Sequence, residues 1–520
     1  MIVLIGFMGA GKTTTGRMLA ERVGLPFIDT DALIAGRAGR SISDLFSEHG
    51  EATLRTMERE IVAETLTGPD AVVSLGGGAI TDPTTCAALE WHTVIHLDVD
   101  YPQAMRRVGH DPGRPMLHFA DPRALFDARA PIYARLATHV VDMNDTTTED
   151  AVEEIVRVTG LSLPTGPARV TVGLGERAYP VIVGPDVADD VGNLVDLGTA
   201  RRATVISHKT LGEMAKPLVD SLGDAGLEVE LLTVPEGEAA KSLEVAGELL
   251  GRMARSGLRR DDLVVGFGGG VVCDLAGFVA STYHRGVPVV QVPTTVLAQV
   301  DAAIGGKTAV NLASGKNLVG TFHQPIAVIC DVSLLRSLPD EEVRSGLAEV
   351  VKYGLIADPS LLEMVSDQAD ALIARDEDAL ASVVRRSVAI KAAVVTADER
   401  EEGGREVLNY GHTFGHAIEH TTGMRHGEAI AVGMVAAAQL AVDLGLLPED
   451  GIGFHRAILE RIGLPVTTAL DIDPTVAALG QDKKHRGGLR FVLLERIASP
   501  RVGVEASEDQ VRAALRSVTT

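Results

Sequence analysis

The chain has 520 residues, a formal net charge of −23 and an apolar share of 46%. That length exceeds one hydrophobic core and implies two to four domains of ordinary globular composition. The acidic excess excludes nucleic acid and anionic membrane as partners, since no cation surplus exists to neutralise phosphates; phosphorylated small molecules need local cations instead. Cys86, Cys273 and Cys330 form no paired motif, which fits a reducing compartment without a disulfide framework. The opening Met1 to Gly6 reads as a strand entering a glycine loop and not as a cationic leader. The run Ala429 to Leu440 is too short, and too broken by glycine, to span a bilayer, so the expected location is the cytoplasm.

Residues 1–160 alternate short β-branched runs with amphipathic helical stretches, the pattern of a parallel-sheet α/β domain. Its first strand runs into Gly6-Phe7-Met8-Gly9-Ala10-Gly11-Lys12-Thr13, and a helical stretch from Thr14 to Val23 follows. In that strand–loop–helix setting the spacing is a phosphate loop. Backbone N–H groups around Gly9 and Gly11 can surround phosphates, with the positive end of the helix behind them. Lys12 is placed to reach the β- and γ-phosphates and Thr13 to hold Mg²⁺, so the pattern specifies ATP or GTP but no acceptor.

The acceptor is addressed by Asp29-Thr30-Asp31, by Phe46, Gly50-Glu51, Arg55 and Glu58, by Gly76-Gly77-Gly78, by Arg114-Pro115, and by Arg129 to Tyr133. With these motifs residues 1–160 resemble shikimate kinases. The resemblance implies transfer from ATP–Mg²⁺ to shikimate. It implies that Asp29 helps hold Mg²⁺ through water and that Asp31 contacts the acceptor hydroxyls and acts as base. Arg55 and Arg129 would grip the carboxylate, the backbone of Gly76, Gly77 and Gly78 would line the pocket, and Arg114 would come from a closing lid over 109–121. Two arginine forks suit a planar carboxylate, and a lid keeps out water that would otherwise take the phosphoryl group. Leu54 replaces the family's usual phenylalanine and predicts altered packing beside Arg55. Without the other motifs, Arg55 and Glu58 would read as an exposed i,i+3 pair. A gluconate or nucleoside-monophosphate kinase is the competing assignment.

Gly, Pro, Ser and Thr dominate Thr159 to Pro167 and place a linker at 161–168. Strands and helices alternate again over 169–338, a Rossmann-like α/β domain in which Val264 to Gly270 is a strand entering a glycine turn suited to a pyrophosphate. Beyond Pro339 strand signals nearly vanish, and 339–520 reads as an all-α domain. Within it His412 and His416 lie four residues apart on one helix face, His426 follows, and Glu349 sits in Leu347 to Gly354. A lone histidine would be an ordinary core or surface residue, but three so close, each beside a glycine, point to a site. Two imidazoles and a carboxylate with one open position can hold catalytic zinc, and spacing alone pairs His412 with His416.

Taken in order, Gly268 to Asp274, Pro293 to Asp301, Gly305 to Thr308, Gly315-Lys316-Asn317, Ala348 to Gly354 and Asn409 to His416 resemble 3-dehydroquinate synthases over about residues 170–515. The resemblance implies NAD against Glu238, Lys241, Gly269, Gly270, Asp274, Thr294, Thr295 and Lys316. It puts Glu349, His412 and His426 on Zn²⁺ or Co²⁺ and leaves His416 to face the substrate phosphate. Substrate contacts are implied for Arg285, Asp301, Lys307, Asn317, Lys352, Lys391, Arg405 and Asn409, and for either Lys483 or Lys484. Of these, Lys307, Lys352, Lys391 and Arg405, with His416, are the catalytic candidates. Cys273 stands where the family mostly has a smaller residue and predicts a slightly altered nucleotide turn.

The implied reaction oxidises 3-deoxy-D-arabino-heptulosonate 7-phosphate at C5, eliminates phosphate, returns the hydride and closes the ring by an aldol step, with NAD not consumed and the metal as Lewis acid. A polyol dehydrogenase on a related two-domain plan is the competing reading, and the many cations for a phosphate and a carboxylate favour the synthase. Complete residue sets in both halves argue against an inactive scaffold. A homodimer through the synthase part is implied by the resemblance.

Overall fold

The computed structural model describes residues 1–520 except 39, 67–70, 91, 109–120, 145, 160–166, 402 and 484–488, and gives only the backbone at 43, 46, 48, 52, 108 and 480–483. The chain divides into two compact units, Met1–Gly166 and Pro167–Thr520.

In the first unit β1 (Ile2–Ile5), β2 (Phe27–Asp29), β3 (Val72–Ser74), β4 (Thr93–Asp98) and β5 (His139–Asp142) form a parallel sheet in the order β2-β3-β1-β4-β5. Every residue of β1 and β3 is buried, as expected of parallel strands covered on both faces. The chain builds β2 and β3 on one side of β1 and then β4 and β5 on the other. The loop after β1 therefore opens where the strand order reverses, the position that binds ligands in open α/β sheets. Asp82 and Asp121 cap the helices Pro83–Leu89 and Pro122–Leu136, each with proline in the first turn.

The second unit is built on β6 (Ala168–Val172), β7 (Tyr179–Gly184), β8 (Arg202–His208), β9 (Glu228–Val234), β10 (Leu263–Gly268), β11 (Val289–Pro293), β12 (Lys307–Leu312), β13 (Gly315–Phe322) and β14 (Ala327–Asp331). Seven of these strands form one sheet, β6-β7-β14-β11-β10-β8-β9, parallel except for the β6–β7 edge. Connections leave in opposite directions between β8 and β10. The turn from β10 into helix Gly270–Thr282 thus lies at a switch point. Strands β12 and β13 pair separately as an antiparallel hairpin.

Beyond Pro339 the fold is helical, with the addition of one hairpin, β15 (Arg490–Arg496) and β16 (Ser499–Glu505). Helical periodicity does not anticipate it, because Phe491 to Leu494 is a continuous buried apolar run that strand and helix accommodate equally. The helices share one apolar cluster with β7 and β14, so that side of the sheet is continuous with the helical core, while two further clusters pack the rest of the sheet. Among the described residues no helix is long and apolar enough to cross a membrane.

Helix His426–Asp443 occupies the middle of this core, and its Ala- and Gly-rich surface lets neighbours approach backbone to backbone. A Cβ on Gly427 would lie 2.0 Å from the Ser345 carbonyl oxygen, and one on Gly433 would lie 2.3 Å from that of Gly411. Helix Asp340–Ala357 and the turn into helix His412–Thr422 are therefore drawn against the same seam. As a result the first residues of two helices meet the middle of a third. Gly427→Ala is expected to wedge the seam open at a cost of about 1–3 kcal/mol, lowering the melting temperature of this unit in a thermal scan.

Candidate functional site

In the first unit Gly11 caps helix Lys12–Val23 with a left-handed backbone (φ 88°). Lys12 Nζ donates to the Gly6 and Phe7 carbonyls at 2.8 and 3.3 Å, so the ammonium folds over its own loop. Thr13 Oγ1 donates to Asp29 Oδ2 at 2.8 Å, and Asp29 Oδ1 accepts from the Asp31 N–H at 3.0 Å. This hydroxyl–carboxylate pair beside the loop is an oxygen donor set of the kind Mg²⁺ takes.

The three glycines after β3 form the wall facing Asp31 and the arginines. A Cβ at Gly76 would meet Asp31 Oδ1 at 2.3 Å, and one at Gly78 would meet Arg55 Nη1 at 1.7 Å. Arg129 Nη1 stands 3.4 Å from the corresponding point of Gly77. Arg55 donates to Glu58 at 2.6 Å, and Glu58 is buried, so this is no solvated helix pair. Burial outweighs Arg55 and raises the Glu58 carboxyl. Arg129 is also buried, burial lowers its pKa, and its Nε has no hydrogen-bond partner. A desolvated guanidinium with a spare donor is suited to an anion. Tyr133 closes the pocket, donating to the Gly77 carbonyl at 3.2 Å and stacking on His96. Glu58 and Tyr133 lay inside quoted motifs without a role, and only the fold shows what they touch. Arg114 lies outside the described residues.

In the second unit Gly269 caps helix Gly270–Thr282, and Thr294 N–H ties the end of β11 to the Gly268 carbonyl at 3.0 Å. Thr295 Cγ2 stands 3.2 Å from where a Cβ of Gly269 would be. Asp274, one turn into the helix, pairs with the buried Lys241, which also donates to Asn317. Glu238 accepts from Asn311 at 2.7 Å. These groups surround the switch-point turn. A cavity of ≈ 460 Å³ extends from Asp274 and Asn317 to Asp301, Lys307, Lys391 and Arg405. Asp301 bonds Lys391 and accepts from Tyr353 Oη at 2.8 Å. Burial raises the Asp301 carboxyl, but Lys391 and Lys352 outweigh it and keep the group ionised. Arg405 is buried under the Gly305 and Glu399 carbonyls, and its loop is pinned by Asp398, which accepts from the N–H groups of Gly403, Gly404 and Arg405. Neither Tyr353 nor Asp398 carried a role in the sequence reading.

Glu349, His412 and His426 offer ligand atoms that all lie within 4.8 Å of one another. The Nε2 atoms of both histidines stand 3.3 Å from the same Glu349 oxygen. His412 Nδ1 faces the Tyr410 carbonyl at 3.1 Å, and His426 Nδ1 faces Glu419 at 3.2 Å. Two Nε2 atoms thus converge on one oxygen of a buried carboxylate, an arrangement that a divalent cation would satisfy. The residues fit a divalent metal. Lys352 forms an ion pair with the other Glu349 oxygen; burial raises the Glu349 carboxyl, but Lys352 and His412 outweigh it and hold it well below the usual range.

His416 is not in this donor set. It lies exposed one turn along the helix, edge-on to His412 with ring centres 5.3 Å apart, and partial desolvation with the two neighbouring rings pushes it down to about 4. The His412–His416 pairing suggested by spacing is thus replaced by one histidine from each of two helix starts. Lys307 reaches Glu401 at 2.6 Å, and Lys316 reaches Glu419 at 3.2 Å. Arg285 is exposed in the turn after helix Gly270–Thr282 (φ 67°) and does not line the cavity. Asn409 ends the turn Arg405–Asn409. Lys483 is described only in its backbone, and Lys484 lies outside the described residues.

Behind His412, Tyr410 Oη bonds the fully buried His455 at Nε2 (2.8 Å), whose Nδ1 faces the Gly451 carbonyl at 2.6 Å. Burial pushes His455 down to about 4. Its imidazole stays neutral in the folded state while the unfolded chain takes a proton near pH 6.5, so stability present above that pH is lost as pH falls towards 4. The expected loss is on the order of 3 kcal/mol, read by denaturant unfolding across that window, and His455→Leu removes that part of the slope.

Three family models match the chain: shikimate kinase at residues 8–159, 3-dehydroquinate synthase N-terminal at 231–345, and 3-dehydroquinate synthase C-terminal at 346–485. The 3-dehydroquinate synthase of Thermobifida fusca (strain YX) is 46% identical over 355 residues, covering 68% of this chain and 96% of its own. Among solved structures, a 2-deoxy-scyllo-inosose synthase complexed with carbaglucose-6-phosphate, NAD⁺ and Co²⁺ is 29% identical (TM-score 0.63), covering 67% of this chain and 100% of its own. The 2-epi-5-epi-valiolone synthase of Streptomyces hygroscopicus subsp. jinggangensis 5008, with NAD⁺ and Zn²⁺ bound, is 30% identical (TM-score 0.61), covering 65% and 96%.

Proposed function

The chain belongs to the 3-dehydroquinate synthase family and carries a shikimate kinase domain ahead of it, and from this we infer how its two sites work. It is a bifunctional enzyme of aromatic biosynthesis. One activity phosphorylates shikimate with ATP, and the other converts 3-deoxy-D-arabino-heptulosonate 7-phosphate to 3-dehydroquinate and phosphate. The observations that carry the residue assignment are the convergence of Glu349, His412 and His426 and a cation-lined cavity that extends from Lys391 and Arg405 to Asp274.

In the synthase unit, a divalent cation held by those three residues supplies Lewis acidity to an alcohol oxygen, and NAD supplies a reversible hydride acceptor. Glu349 and Asp301 stay ionised against Lys352 and Lys391, so the two ammonium groups are fixed where a carboxylate and a phosphate must be held. Arg405, rigid under its carbonyls, adds a third cation. His416, exposed beside the donor set and shifted towards its neutral form, is suited to hydrogen-bond a phosphate oxygen without competing for the metal. The Tyr353–Asp301 bond sets the carboxylate's direction.

In the kinase unit, Lys12 and the loop N–H groups take the phosphates, and Thr13 with Asp29 takes Mg²⁺. Arg55 and Arg129 hold the shikimate carboxylate across the Gly77 wall, leaving Asp31 to receive the hydroxyl proton. Three free cysteines, two of them buried, support a reducing cytoplasmic setting.

The test is a phosphate-release assay on the heptulosonate phosphate with catalytic NAD⁺, run with and without chelator, beside an ATP acceptor panel. Chelator-sensitive phosphate release without NADH accumulation is expected. Net NADH from a polyol would assign the second unit to dehydrogenases, and turnover of gluconate but not shikimate would reassign the first.

A further inference from the structure

We propose that Lys316 and Glu419 are positioning residues that tie His426 to the β12–β13 hairpin, so that metal and dinucleotide each tighten the binding of the other. The proposal rests on the reading of Glu349, His412 and His426 as a metal site and of the Gly269–Asp274 turn as a dinucleotide site.

Glu419 lies on helix His412–Thr422, seven residues after His412 and so two turns along the same face. Its two oxygens have different tasks. Oε2 faces His426 Nδ1 at 3.2 Å, which commits that nitrogen to donate and leaves Nε2 directed at Glu349, 3.3 Å away. A carboxylate behind a metal-binding imidazole fixes its tautomer and ring angle. Oε1 accepts from Lys316 Nζ at 3.2 Å, and Lys316 comes from β13, outside the helical part.

The residue after Lys316 reaches the other site. Asn317, in the left-handed region at φ 59°, accepts from Lys241, the partner of Asp274. Its own N–H donates to Asn311 Oδ1 at 2.9 Å, and Asn311 Nδ2 donates to Glu238 at 2.7 Å. Two consecutive side chains on one hairpin corner thus face the dinucleotide turn and the second oxygen of the carboxylate behind His426. Whatever orders that corner from one side orders it for the other, and by reciprocity each ligand gains by the same factor. The Lys316 side chain is 64% exposed, which limits the gain to that of a solvated ion pair.

The experiment uses the full chain, stripped of metal, and measures Co²⁺ and Zn²⁺ affinity by competition with a chromophoric chelator, with and without saturating NAD⁺. In the native chain NAD⁺ is expected to raise metal affinity by about two- to fivefold, the range set by one exposed ion pair. Lys316 is also among the residues the resemblance sets against NAD, so NAD⁺ binding of Lys316→Met is titrated separately; at an NAD⁺ concentration that saturates the variant, metal binding should persist while the ratio falls to one. Glu419→Gln should weaken metal about 10- to 100-fold and change the visible spectrum of the Co²⁺ form. A native ratio of one, or an undiminished ratio in Lys316→Met with both ligands bound, overturns the coupling. An unaltered Co²⁺ spectrum and affinity in Glu419→Gln overturns the role of Glu419. Failure of the native chain to bind metal at all sinks the underlying site reading instead, so the two failures are distinct.

Discussion

Replacing His412 by Gln is expected to lower release of phosphate from the heptulosonate phosphate by about three orders of magnitude, the loss of ~4 kcal/mol of Lewis-acid stabilisation. Shikimate phosphorylation should be unchanged, since the kinase residues lie in a unit with its own sheet and core. His412 is a better target than Glu349 for a physical reason. Glu349 is fully buried against the equally buried Lys352, and a neutral residue there would strand an ammonium in the core at a cost of about 3–5 kcal/mol. Glu349→Gln should therefore lose both metal and stability, whereas His412→Gln should lose metal alone. Metal content per chain, far-ultraviolet circular dichroism and the two activity assays separate the outcomes. A metal-free His412→Gln protein with full synthase turnover would overturn the assignment.

The second large effect is expected at Lys12. Its ammonium is held over the phosphate loop by the Gly6 and Phe7 carbonyls, the place where charge moves during transfer. Lys12→Met should cut kcat for shikimate phosphorylation by at least about 10²–10³, as removal of one fixed donor does in other anionic transition states. Shikimate KM should change little, because Arg55, Arg129 and the glycine wall are untouched. Arg129→Gln should show the opposite split: its guanidinium faces the acceptor pocket, so KM for shikimate rises more than kcat falls. Heptulosonate phosphate turnover serves as the internal control for both variants.

How much of this was legible in the chain depends on how local each device is. The phosphate loop and the turn at Gly269 are contiguous, and a strand before and a helix after suffice to recognise them. Glu349 and His426 are far apart in sequence, and the family resemblance, not periodicity, sets them together with His412. Spacing pairs His412 with His416 because it treats a helix as a cylinder with side-by-side ligands. The structure instead uses helix ends: His412 and His426 each open a helix, and their imidazoles meet Glu349 off those ends, on the flank of a third. That crossing is set by Gly427 and Gly433, whose importance lies in what they leave out and which no pattern of apolar residues reports. Glu419 and Asp398 escaped for another reason. Each acts on a neighbour's orientation and has no chemical signature of its own.

The glycine seam also bears on how the enzyme is supplied with its ion. The contacts at Gly427 and Gly433 are backbone against backbone and involve no ligand group, so the polypeptide can reach its native arrangement before any cation arrives. In zinc-finger peptides, by contrast, capture and folding are one event. A metal site built on such a seam would be a finished receptacle, and its occupant would follow the ions present around the folded chain rather than those present during folding.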